Sequence, residues 1–416
     1  MEPLIKNDAI VLGVLITVLA VIFVTSSSSK PYLKKFYTYV PSLLLCYFIP
    51  GLLNWPLGLI SGEGSKLYFV ASRYLLPASL VLFCISIDLK GILNLGPKAL
   101  IMFFTATTGI VIGGPIALWI SGILFPEMSQ VPSGDEIWRG LSTVAGSWIG
   151  GGANQTAMKE IYACKEDLFS TMIIIDVVVA NIWMGFLLYG AGRYHEIDKK
   201  LKADNSAIED LKKRIENYRA SIARIPSTTD YFVILAIAFG ATAIAHFGAD
   251  TISPFMESKM AVLEKYNLNS LASHFFWLIV VATTLGLALS FTSLKKYEGA
   301  GASKFGSVFI YILVATIGMK MNLLEAFQNM HYFVIGLIWM SVHVILLLFV
   351  AKIIKAPFFF VAVGSQANVG GAASAPIVAS AFSTALAPVG VLLAVLGYAL
   401  GTYGAIICAQ LMMLVY

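Results

Sequence analysis

Two short stretches of this chain combine apolar surroundings with side chains that can ligate an ion or hydrogen-bond a solute. They are residues 139–158, RGLSTVAGSWIGGGANQTAM, and residues 359–377, FFVAVGSQANVGGAASAPI. The first sets Ser147, Asn154, Gln155 and Thr156 around Gly150, Gly151 and Gly152, and the second sets Ser365, Gln366, Asn368 and Ser374 around Gly370 and Gly371. A glycine costs a helix about 1 kcal/mol relative to alanine, so clustered glycines in an apolar run mark a built-in break. Breaking a helix at membrane depth frees backbone N–H and C=O groups, which a cavity holding water, solute or ions can satisfy. The N-terminal ends of the broken halves would offer N–H groups and partial positive charge to an anion. Freed carbonyls and the hydroxyl and amide oxygens are the hard neutral ligands that suit sodium, and with the carboxyl of Asp176 they make Asn154, Thr156, Asp176, Gln366 and Asn368 the candidate sodium ligands. Small residues also let helices pack closely. Packing accounts for the glycines, alanines and serines but not for Asn and Gln at both places.

Asp176 lies in TMIIIDVVVAN, residues 171–181, an acid deep in an apolar run. An ionisable group at that depth costs several kcal/mol unless paired or neutralised, so Asp176 is a candidate for ion or proton coupling. The competing role is a structural hydrogen bond to Asn181 or to the first motif. Asp88 and Lys320 are either intramembrane charges or helix-end charges at the interface. His246, His274, His331 and His343 show no metal-ligand spacing, and Trp148 and Trp183 read as packing or interface residues. An intramembrane hydrolase would need Ser147 or Ser365 with a histidine; His343 is the nearest, but neither serine lies in G-x-S-x-G. No Walker-type phosphate loop appears either. The expectation is therefore a non-enzymatic protein with no cofactor beyond a coupling ion, sodium or proton.

The elements that must position these residues follow from composition. Of 416 residues, 58% are hydrophobic and 12% charged, with a mean hydropathy of +0.82, which excludes a soluble multidomain protein. The net charge of +5 is carried mostly by short loops, where orientation rules account for it, and does not argue for nucleic acid. Four cysteines without CxxC argue against a disulfide framework or a zinc site. Apolar runs long enough to span a bilayer fall near 8–24, 39–55, 67–87, 99–124, 169–190, 229–248, 271–291, 305–327, 331–351 and 386–414. The first lacks a basic n-region and a cleavage site and reads as a retained helix.

Placing Gly146-Ser147 on Gly364-Ser365 puts Gly152 on Gly370 and Thr156 on Ser374 without a gap. About one segment upstream of each motif, Ile85-Ser-Ile-Asp-Leu-Lys90 resembles Ile317-Gly-Met-Lys-Met-Asn322. The chain thus divides into a repeat at 1–190, a polar linker at 191–228 and a second repeat at 229–416. In the linker, Ile208, Leu211, Ile215, Tyr218 and Ile222 form one apolar stripe, either an amphipathic surface helix or a dimerising one that would make a homodimer. Re-entrant motifs make the repeats inverted, and fully crossing motifs make them parallel. Lys and Arg counts hardly separate the two. With re-entrant motifs and the N-terminus outside, however, loops 25–38, 86–98, 191–228, 292–304 and 352–356 all lie inside with a basic excess, while the acidic loop 125–138 lies outside. That favours inverted repeats, an arrangement recurrent among secondary transporters.

GSWIGGGANQTAMKE in the first half and GSQANVGGAASAP in the second resemble the paired signatures of the YjcL-like bacterial membrane proteins, a family of unassigned function. That family is grouped with cation/proton antiporters, bile-acid:sodium symporters and glutamate:sodium symporters. The resemblance implies an all-α polytopic fold of the bacterial inner membrane. Each of its two inverted repeats has about five transmembrane helices and one interrupted segment, divided between a scaffold and an elevator-like core. Where some antiporters of that group carry an acidic pair, this chain has the single Asp176 followed by Asn181. The reading that results is sodium- or proton-coupled symport of a small organic anion. Cation/proton antiport through Asp176 is the alternative within transport, and a transport-inactive sensor or structural protein the alternative outside it.

Overall fold

A computed structural model of the chain describes residues 3–40, 42–62, 64–87, 92–93, 95–126, 136–203, 225–265, 269–320, 332–383 and 386–416. Among the described residues every regular element is helical. In the first half they are α1 (Asp8–Ser26), α2 (Pro31–Tyr39), α3 (Ser42–Asn54), α4 (Leu67–Ile85), α5 (Pro97–Leu124), α6 (Ile137–Gly150), α7 (Gly152–Ile161), α8 (Glu166–Ala191) and α9 (Tyr194–Leu201). In the second they are α10 (Thr228–Glu257), α11 (His274–Ser290), α12 (Ala302–Gly318), α13 (Tyr332–Ile354), α14 (Phe358–Val369), α15 (Gly371–Phe382) and α16 (Ala387–Val415). Seven of these, α1, α4, α5, α8, α10, α13 and α16, are long and apolar enough to cross a membrane. Helices α3, α11 and α12 occupy the three remaining apolar runs but are shorter, and α11 passes as a span only together with the bent segment Ser293–Ala300 that follows it. Local signals set the starts: Asn7 caps α1, Ser227 and Asp230 form a capping box on α10, and Ser273 caps α11.

Both motifs fold back on themselves. A side-chain carbon at Gly146 would lie 2.6 Å from the carbonyl oxygen of Asn154, and Gln366 donates to Ser374 at 2.7 Å. Residues eight apart in a continuous helix would be about 12 Å apart along its axis. The turns form at Gly151, with φ +80°, and Gly371, with φ +58°, where a β-carbon would be strained. Helices α6 and α7 therefore make hairpin 1, and α14 and α15 make hairpin 2.

Contacts between helix ends sort into two sets. In the first, Asp8 accepts from the Lys66 amide, Arg73 pairs with Glu160, Arg139 donates to Tyr162 O, His246 bonds Arg73 O, and His274 pairs with Asp250. In the second, Tyr37 bonds Thr25, Ser86 donates to Glu298, Lys98 donates to Lys355 O, and the Phe358 amide donates to Asp198. Hairpin 1 opens toward the first set and hairpin 2 toward the second. Packing also divides the helices into two bodies, α1, α3, α4, α10, α11 and α12 in one, and α5–α8 with α13–α16 in the other. The bodies touch where α16 and α7 meet α4 and α11, for example where Tyr398 stacks on Phe83 at 4.2 Å.

The structure decides between the two readings of Lys320. Helix α12 ends at Gly318 rather than running on to about 327, which leaves Lys320 just beyond the helix with its ammonium 4.2 Å over the Tyr68 ring, a helix-end charge. Asp88, the linker stripe from Ile208 to Ile222 and most of loop 125–138 lie outside the described residues.

Candidate functional site

Helix α8 carries Asp176 to hairpin 1, where the carboxylate accepts three hydrogen bonds: from the Ser147 hydroxyl at 2.6 Å, the Trp148 indole N–H at 2.7 Å and the Gln155 amide at 3.0 Å. Asp176 is 5% exposed. Three donors satisfy the carboxylate's oxygens, so this buried polar group is not left without hydrogen-bond partners although no basic side chain bonds it among the described residues. Fold-back is what allows the set, because Ser147 lies on α6 and Gln155 on α7. Asn181 donates instead to Val177 O of its own helix at 2.6 Å, so the partner of Asp176 is the motif and not Asn181.

Asn154 ties the tip of hairpin 1 to α16. Its amide donates to Gly150 O at 2.8 Å and Tyr398 O at 3.2 Å, and its oxygen accepts from Thr402 at 2.7 Å. Gly150 and Gly401 permit this approach, since a side-chain carbon on either would stand 2.6 Å from the α-carbon of the other. Thr156 bonds back to Gly152 O at 3.0 Å.

In hairpin 2, Ser365 meets the Trp183 indole N–H of α8 and the His343 ring of α13, both at 2.8 Å. Asn368 accepts from Thr107 of α5 at 2.8 Å and donates to Phe103 O and Gly364 O. The oxygen of Gln366, a residue 1% exposed, has no partner among the described residues. The Gly370 position has no room for a side chain, with Ser374 Oγ 1.7 Å from where its β-carbon would stand.

The two hairpins meet at Gly397 of α16. A side-chain carbon there would lie 2.8 Å from Ile149 O and 3.4 Å from Ala367 O, so the last turns of α6 and α14 bring a carbonyl each to one point. Among the described residues nothing lies within 4 Å of a carbon built on Gly152, which is partly exposed, or on Gly371, which is buried. The five side chains nominated for sodium are engaged with separate partners rather than with one another.

Sequence reasoning missed several members. Trp148 and Trp183, expected to pack or mark interfaces, are hydrogen-bond donors to the site, and Thr107, Thr402, Gly397 and Gly401 come from helices outside the motifs. It also missed a charged cluster where hairpin 1 faces α4. Lys159, 5% exposed, contacts Glu166 at 2.8 Å and Tyr68 at 2.9 Å, while Glu160 holds Arg73 at 2.9 Å and accepts from Tyr68. The adjacent Lys159-Glu160 pair just after the first motif was the signal available.

A family model described as "Protein of unknown function (DUF819)" matches residues 13–415, and the chain belongs to that family. It is similar, at 20% identity over 355 residues covering 82% of each chain, to the "Uncharacterized membrane protein YjcL" of Bacillus subtilis (strain 168). With its apolar helices, the chain is a multi-pass membrane protein.

Proposed function

We propose that this member of the DUF819 family is a secondary active transporter of the bacterial cytoplasmic membrane, carrying a small organic anion in symport with sodium or protons. The body containing the hairpins moves against the other body in an elevator-type step. The observation that carries this reading is the convergence of both interrupted segments on Gly397, with Ser, Asn, Gln and Asp side chains buried at membrane depth behind them. Lipid-exposed irregular backbone is not tolerated in hydrocarbon, so paired helix breaks belong in a protein-lined cavity.

Opposite opening of the hairpins supports inverted repeats, an arrangement in which an odd number of crossings in the first half, five on this reading, turns the second half over. The anionic preference is supported by α7 and α15, which both begin at the turns without a side-chain cap among the described residues. No enzymatic step is part of the reading, because Ser365, the serine that does face a histidine, is 0% exposed. Burial of Asp176 with three donors favours cation/proton antiport as the second reading.

Thermal melting of the purified protein against classes of metabolite, with and without sodium, tests the proposal. An organic anion should stabilise the protein, more so with the coupling ion, and Asp176→Asn should remove the ion dependence while the protein stays folded. No stabilisation by any solute, together with sodium-induced proton release in empty vesicles, would favour antiport.

A further inference from the structure

Hairpin 2 has an ionisable anchor that the transport reading leaves unused. Ser147 and Ser365 occupy matched positions, and each bonds one titratable side chain on a long neighbouring helix: Asp176 of α8 at 2.6 Å and His343 of α13 at 2.8 Å. A tryptophan N–H completes each set, Trp148 on Asp176 and Trp183 on Ser365. His343 is 0% exposed, with Nδ1 3.1 Å from Ala106 O. A carbonyl only accepts, so Nδ1 carries the hydrogen and Nε2 of the neutral ring is bare. Ser365 Oγ accepts from Trp183 and turns its own hydrogen to Nε2.

No charged side chain faces the ring from the described elements packed on it. Helix α5 presents the backbone of Ala106 and Gly109, α14 presents Ser365, and α8 presents Trp183 to Ser365. Asp176 of α8 is turned to hairpin 1, Lys98 of α5 reaches Lys355 O beyond the end of α13, and Lys352 is exposed in the last turn of α13. A hydroxyl or amide side chain would serve the same neutral hydrogen bonds, whereas the imidazole can also take up a proton.

We propose that His343 is a proton-binding site and that its protonation releases hairpin 2 from α13. A proton from water on Nε2 turns that nitrogen from acceptor to donor, so Ser365 Oγ must turn its own hydrogen away and accept from both the ring and Trp183, and an uncompensated positive charge stands against hairpin 2. An anion at the uncapped start of α15 would be its counter-charge. The consequence for coupling rests on the transport reading, but the site itself does not.

Nitrogen NMR of histidine-labelled full-length protein in bilayers tests this, with His343 identified by the signal lost in both His343→Gln and His343→Asn. The expected result is a bare Nε2 at about pH 8 that gains a proton reversibly as the pH is lowered to about 4 while the protein stays folded. Hydrogen exchange in 358–383, normalised to 137–161 of the same sample, should rise roughly five- to a hundredfold over that titration, the change that loss of one buried partner produces. It should stay flat in both variants. A ring that remains neutral until the protein unfolds, or one that protonates without changing exchange in hairpin 2, overturns the proposal. Neither measurement requires solute or sodium, so failure of the transport reading would show separately, in the melting screen.

Discussion

Gly150 and Gly152 stand two residues apart in one motif and do different work. A carbon on Gly150 would lie 2.2 Å from Asn154 Nδ2 and 2.6 Å from the Gly401 α-carbon, so Gly150→Ala overpacks a contact between backbones. Such changes cost about 1 to 3 kcal/mol. Gly152 has no neighbour within 4 Å and no positive φ, so Gly152→Ala should be neutral or stabilise by about 0.4 to 1 kcal/mol through the unfolded chain. Thermal melts of the two variants check this, and equal losses in both would contradict the described tip. The glycine run announced a break in the sequence, but which glycine packs, which turns and which faces open space depends on α16, some 250 residues away. Asp176 was legible because an acid in an apolar run is costly wherever it lies. Its indole donor was not, because Trp148 reaches it only through the packing of α6 on α8.

At the scale of elements, the ten apolar runs were legible because lipid-length hydrophobic segments leave little choice but helix. Fold-back of the motifs was favoured only by the charge of the loops, since periodicity carries no information about the angle at a break. Gly151, at φ +80°, decides that angle for hairpin 1. Cysteines replacing Gln366 and Ser374, which bond at 2.7 Å, should cross-link readily in a background lacking the four native cysteines. A failure to cross-link at the roughly 12 Å expected of a straight helix would mean that the segment crosses. Lys320 shows the opposite limit. The apolar run continues past it, but α12 stops at Gly318, where a side-chain carbon would lie 2.3 Å from Tyr47 O, so tertiary packing and not hydropathy sets the end.

For the whole molecule, the central claim is that the hairpin body moves against the body built on α4 and α11, exposing one site alternately to the two sides. Tyr398 stacked on Phe83 joins the bodies, and the Arg73–Glu160 pair with Tyr68 and Lys159 ties hairpin 1 to α4 at one end. The most direct test is the reactivity of Gly152→Cys, placed at an open hairpin tip, toward an impermeant thiol reagent in a background lacking the native cysteines. Right-side-out and inside-out vesicles are compared before and after joining the bodies through a cross-linked Phe83→Cys and Tyr398→Cys pair. The account predicts labelling from both sides in the free protein and from one side only once the bodies are joined. Labelling confined to the same single side before and after cross-linking would contradict it.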